Sequence, residues 1–139
     1  MDFHVAIIGP DNSHLLSQVA EGVFDTPVEG PHLPAYVGDP SQRLLVAIAD
    51  GVVIGQIKSV LHRHPEKAPG MFIEELGVAT DHRRQGIATA LMKAAIALAR
   101  DMGCAELWLA TEPENEAANA FYKATGMGGL HVVMYSRQL

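Results

Sequence analysis

Apolar residues fall into short runs punctuated by turn residues in the first half of the chain, and recur every three or four positions in the second half. Residues 3–8 are an apolar run closed by Gly9 and Pro10, which predicts a buried strand. Asp11, Asn12 or Ser13 can cap a helix that carries Leu15, Leu16 and Val19 on one face and closes near Gly22. Residues 24–42 are rich in Pro, Gly and acids, and predict a loop with a short helix over 33–37. Residues 43–49 and 52–61 are apolar runs joined by Asp50 and Gly51, one of the strongest short signals for a hairpin. After a polar loop over 62–70, residues 71–79 predict a third strand of the same sheet. From 85 to 102 the positions Ile87, Leu91, Ala95, Leu98 and Met102 form one helical stripe, ended by Gly103. Residues 104–110, with Trp108, predict another strand. Asn115 caps a second helix reaching Thr125 with Gly126 behind it, and residues 131–136 predict a last strand. Strands paired by hairpins, then alternating with helices, predict an α/β fold: a central mixed, mostly antiparallel sheet flanked by helices.

Length makes residues 1–139 a single domain, with too little chain for two independent cores. A hydrophobic share of 48% and a charged share of 19% suit a soluble globular protein. No apolar run reaches membrane-spanning length, so no membrane partner is expected. The first residues lack the basic opening and small-residue cleavage site of a signal peptide. A lone cysteine, Cys104, forms no internal disulfide framework and fits a reducing compartment, so the expected location is cytoplasmic. The formal net charge is −6, and the only adjacent basic pair is Arg83 and Arg84, which argues against a nucleic-acid partner. That pair instead suits a small anionic ligand, and the excess carboxylates suit a cationic second one.

The segment with most chemistry in it runs from Glu75-Leu76-Gly77-Val78 through Arg83-Arg84-Gln85-Gly86-Ile87-Ala88-Thr89. A strand here leads into a helix whose first turn holds Gly86 and Ala88. Small residues let a ligand approach the exposed N–H groups, and the helix dipole favours an anion. Two guanidinium groups add planar donors for phosphate. The reading is a pyrophosphate cradle, distinct from a Walker loop and from a dinucleotide fingerprint, neither of whose patterns occurs.

With these residues the chain resembles the GNAT superfamily of acetyl-coenzyme A-dependent N-acyltransferases. Its phosphate motif, Arg/Gln-x-x-Gly-x-Gly/Ala, is matched by the run from Arg83 to Ala88, behind a Leu-x-Val strand end at Leu76 and Val78. Its later signature is matched by Asn115, Ala118, Tyr122, Gly126 and Met127. The resemblance implies a GNAT-like fold and acetyl-coenzyme A as cosubstrate. It implies that Leu76 and Val78 bond the pantetheine amide through their backbone, and that the backbone from Arg83 to Thr89 (Arg83, Arg84, Gln85, Gly86, Ile87, Ala88, Thr89) holds the pyrophosphate. It further implies that Asn115 and Asn119 contact the pantetheine or adenine end, and that Tyr122 protonates the departing thiolate. Read from the residues alone, Asn115 is equally an N-cap and Tyr122 a half-buried helix aromatic. A symmetric homodimer follows by analogy only.

Within the superfamily, residues 81–91 look most like the aminoglycoside 3-N-acetyltransferases, which carry acids where this chain has Glu75 and Glu112. Acetyl transfer needs a neutral amine, so a carboxylate or a water chain must take its proton. Glu74, Glu75 and Glu112 are the acids on offer for catalysis and for binding the acceptor. Neighbouring strand residues face opposite ways, so Glu75 is favoured over Glu74 unless a bulge intervenes, and Glu112 forms a second wall. Cys104 reads as a buried structural thiol, and Trp108, Phe72 and Phe121 as core. His62 and His64 lack a third ligand at metal spacing, so no metal is expected. The acceptor implied is a small cationic amine, attacked directly in a ternary complex. A peptide N-terminus, a metabolite amine, or a non-catalytic acyl-coenzyme A-binding module are the rival readings.

Overall fold

The computed structural model describes residues 2–139. Five strands, β1 (His4–Ile8), β2 (Gln42–Ala49), β3 (Val52–His62), β4 (Gly70–Val78) and β5 (Glu106–Trp108), form one sheet in chain order. The first four run antiparallel and β5 joins β4 in parallel. Helices α1 (His32–Val37), α2 (Ile87–Asp101) and α3 (Glu116–Ala124) complete it. The β2–β3 turn is Asp50 and Gly51, both left-handed at φ 51° and 77°, the geometry that a two-residue hairpin requires.

Helix α2 lies on one face of the sheet and buries Ile87, Leu91, Met92, Ala95 and Ala99 there, a stripe at helical spacing. Gly55 of β3 makes that seat possible, because a Cβ at this position would come 2.7 Å from Ile87 and 3.1 Å from Leu91. Gln56, the next residue, points to the opposite face. There its amide donates to the Val23 carbonyl at 3.2 Å, and a side chain on Gly77 would strike that same carbonyl. Residues 18–28 are thereby pressed onto the sheet opposite α2, with Val23 fully buried.

Three elements depart from the sequence reading. The helix expected after Asp11 is only a 3-10 turn, Ser13–Ser17. Asn12 accepts from the Gly9 N–H at 2.7 Å and donates to the Ile7 carbonyl, so its side chain closes the preceding turn and caps no helix. β5 shrinks to three residues, and Trp108 is 43% exposed, although it stacks on Phe72 with ring centroids 4.3 Å apart. The strand expected over 131–136 does not form, and Val132, Val133, Met134 and Tyr135 are exposed. An alternating pattern makes a strand only beside a ladder partner, and this segment has none among the described residues.

Candidate active site

Between β4 and α2 the chain makes a 3-10 turn, Thr80–His82, then runs through Arg83, Arg84, Gln85 and Gly86 with all four exposed. Arg84 and Gly86 are left-handed, at φ 62° and 82°. For arginine that conformation costs about 1 kcal/mol or more. Gly86 stands at the N-cap of α2 with nothing within 4 Å of where a Cβ would sit, so the loop is open above it. Among the described residues no side chain caps α2, and neither Arg83 nor Arg84 is held in an ion pair. The first backbone donors of α2 thus follow directly on the exposed run from Arg83 to Gly86.

A second feature begins at β5. It pairs with β4 only from Gly70 to Phe72, and beyond the Phe72–Trp108 stack the two strands part. The β4 backbone from residue 73 to 78, which includes Leu76 and Val78, bonds to β3 alone. Its other edge offers free N–H and C=O groups inside a wedge, the arrangement that takes an extended amide-bearing ligand as an added strand.

On the face opposite α2, a cavity of about 350 Å³ opens between α1, residues 24–29 and the sheet. Leu16, Phe24, Leu33 and Leu44 give it apolar walls; Asp25, Glu29, His32, Tyr36, Lys58 and Glu75 give it polar ones. Lys58 and Glu75 face each other across β3 and β4 and form an ion pair at 2.6 Å. The next pair in the ladder is Ser59 with Ile73, so Glu74 is bulged out and unpaired. The bulge that the sequence reading allowed for thus lies at Glu74 and removes the strict alternation of the two acids. The charge of Glu74 is felt by Tyr36 on the cavity wall. That phenol is pushed up to about 12, first by burial and then by Glu74 and Asp39. The Tyr36 hydroxyl is buried and has no hydrogen-bond partner among the described residues.

Helix α3 carries the remaining candidates. Asn115 caps it, accepting from the Ala118 N–H at 3.1 Å. Asn119 donates to the carbonyls of Glu112 and Asn115 at 3.0 and 2.8 Å, so both side chains here serve the helix start itself. Glu112 is exposed ahead of the helix. Tyr122 is half-buried, set edge-to-face against Phe121 at 5.4 Å, and burial raises its phenol above the ordinary tyrosine range. A tyrosine held so is fully protonated near neutrality and can donate a proton. Cys104 is partly buried, and burial also raises its thiol, the reverse of what a nucleophilic thiolate needs. His62 and His64 stack on each other at 4.7 Å. Lys58, Tyr36, Asp25, Glu29 and His32 were not singled out by the sequence reading. The one available signal was the segment over 24–42, rich in Pro, Gly and acids, which predicts a loop with a short helix over 33–37.

Comparison with known proteins adds three findings. The model of the acetyltransferase (GNAT) family matches residues 13–127. Aminoglycoside N(6')-acetyltransferase type 1 of Salmonella typhimurium is 28% identical over 133 residues, covering 93% of this chain and 81% of its own length. Among solved structures, a soil-metagenome aminoglycoside acetyltransferase in complex with sisomicin superposes with a TM-score of 0.85 at 19% identity, over 99% of this chain and 96% of that one. AAC(6')-Iy, in complex with a bisubstrate analogue built from coenzyme A and acetylneamine, does so with a TM-score of 0.80 at 21% identity, over 100% and 99%.

Proposed function

The chain belongs to the GNAT family of acetyl-coenzyme A-dependent N-acetyltransferases, and we propose that its acceptor is a primary amine of a small polycation of the aminoglycoside type, acetylated by direct attack within a ternary complex. The observation that carries this reading is the cavity walled by Asp25, Glu29 and Glu75 on the sheet face opposite the anion-binding loop. Three carboxylates around one small space attract a molecule bearing several ammonium groups. The wedge between β4 and β5 joins the two faces, so a ligand anchored at Arg83 to Thr89 and extended along residues 76–78 reaches towards the cavity.

Bound acetyl-coenzyme A supplies an acetyl thioester. The chain's own residues do the rest. Gln85, Gly86, Ile87, Ala88 and Thr89 offer N–H groups to its phosphates, with Arg83 and Arg84 adding charge. Leu76 and Val78 bond its amides through their backbone. Glu75 positions the acceptor ammonium and takes its proton, directly or through a water, which frees the amine lone pair. Tyr122 delivers its phenolic proton to the sulfur as it leaves. Glu74 and Glu112 add negative charge around the entrance. Asn115 and Asn119 support the start of α3, and through it the placement of Tyr122.

Residues 81–91 resemble enzymes that modify the 3-nitrogen, whereas the N(6')-acetyltransferase relative carries the 6'-position in its name. That relative spans most of the chain, which supports the 6'-amine over the 3-amine. The decisive experiment mixes the protein with acetyl-coenzyme A and a panel of aminoglycosides, polyamines and peptides. Coenzyme A release is followed with a thiol reagent, and NMR of the product locates the acetyl group. Release with aminoglycosides and a shifted 6'-methylene are expected. Release with peptides alone would overturn the proposed acceptor.

A further inference from the structure

Of the four charged side chains lining the acceptor cavity besides His32, Lys58 alone is a cation, and it sits on Glu75. Asp25 and Glu29 hold no ion partner among the described residues. The pair is not sealed in the core, since Lys58 and Glu75 keep 28% and 25% of their side-chain surface in contact with solvent. An exposed pair of this kind is readily exchanged. Lys58 is also a flexible four-carbon stem with a compact ammonium at its end, so it can swing aside without disturbing the strand.

We propose that Lys58 is a displaceable counter-ion, occupying on Glu75 the place that an acceptor ammonium takes, so that acceptor entry is an exchange of one ammonium for another. This rests on the reading of the cavity as the acceptor site, and it adds a rule for which amines enter. A monoamine that displaces Lys58 exchanges one contact for an equal one and leaves a second cation loose beside it. A polyamine displaces Lys58 and gains new contacts at Asp25 and Glu29 as well. Lys58 therefore sets a threshold common to both, which the further contacts of a polyamine offset and the single contact of a monoamine does not. The Tyr36 hydroxyl, buried on the same wall without a partner, is the uncharged group that such a ligand can hydrogen-bond.

The test is calorimetry and NMR titration of the full chain, without acetyl-coenzyme A, with neamine as the polyamine and glucosamine as the monoamine. Lys58→Met removes the competing cation and should tighten neamine and glucosamine alike, each by about fivefold. Glu75→Gln placed in the Lys58→Met background should abolish the gain, because the gain is made at Glu75. Lys58→Gln should behave as Lys58→Met does, and thermal melting checks that each variant is folded. In the unmodified protein the Lys58 side-chain resonances should move saturably with neamine, a readout that needs no variant. Unchanged or weakened neamine binding in both Lys58 variants, Lys58 resonances that stay still while neamine binds, or no neamine binding at all would overturn the proposal. Coenzyme A release can fail while this exchange persists, and the exchange can fail while release persists, so the two readings fall separately.

Discussion

Between Gln42 and Asp101 the sheet and α2 bury one apolar side chain after another, while from Gly103 to Leu139 no residue belongs to the buried core. The two stretches carry different parts of the proposed site. The first holds the anion-binding loop, the free β4 edge and Glu75. The second holds Tyr122, Glu112, Asn115 and Asn119. The groups proposed to grip a charged ligand thus stand on a scaffold fixed by burial, with Gly55 and Gly77 setting how closely α2 and residues 18–28 approach it. The proposed proton donor, Tyr122, stands on a short helix held by its own caps and by partial packing of Phe121 and Tyr122. Binding precision and proton delivery are therefore separable by mutation.

Tyr122→Phe presses hardest on that separation. It keeps the ring and removes the hydroxyl, so turnover should fall by a factor on the order of 10²–10⁴ with the unfolding midpoint almost unmoved. A turnover within a small factor of the parent in a stopped assay would return Tyr122 to packing alone. Gly77→Ala should do the reverse. Its Cβ would meet the Val23 carbonyl, a backbone atom that cannot step aside, so a loss of about 3 kcal/mol in urea unfolding is expected. A loss below 1 kcal/mol would mean that residues 18–28 are not clamped as tightly as the sheet beneath them.

A pH measurement extends the contrast to α1, ahead of the packed stretch. Tyr36 has its phenol raised from 10.0 to about 12 in the folded chain. The unfolded chain loses that proton first, so the stability tied to Tyr36 is full below pH 10 and declines as pH rises towards about 12. Tyr36→Phe should flatten this alkaline decline in thermal melts. An identical decline in the variant would assign it to other groups. The smallest effect is expected at the other end of the chain. Val133→Ser, on a side chain 75% exposed, should change stability by less than about 0.5 kcal/mol. A larger loss would mean that the segment is covered in solution, and that the two stretches are less unlike than they look.

Where an element is determined by its own residues, the sequence already specified it. Asp50 and Gly51 accept positive φ, so the hairpin was legible, as was the stripe from Ile87 to Met102 that became α2. The exposed loop from Arg83 to Gly86 between β4 and α2 was legible as a loop for the same reason, since its residues are contiguous. The helix after Asp11 and the last strand were misread, because local pattern cannot say that Asn12 will bond backwards to Gly9 or that residues 131–136 will lack a ladder partner. The acceptor cavity was only half legible. Glu75 was picked out, but Lys58 and Tyr36 come from segments far away in sequence. Their meeting depends on the β3–β4 register and on the bulge at Glu74, neither of which any single stretch encodes.

The two-residue turn at Asp50 and Gly51 also bears on how the chain is assembled in time. A loop that short costs little entropy to close, and hairpins of this kind form within microseconds. β2 and β3 are then available as a template before distant segments arrive, with β4 adding to the same edge after the loop over 63–69. The parallel strand β5 must wait for α2 to cross back, the slower kind of closure. On a ribosome, where synthesis delivers the N-terminal segments first, the sheet that carries Glu75 is consequently complete as far as β4 while α3 and Tyr122 are still being made.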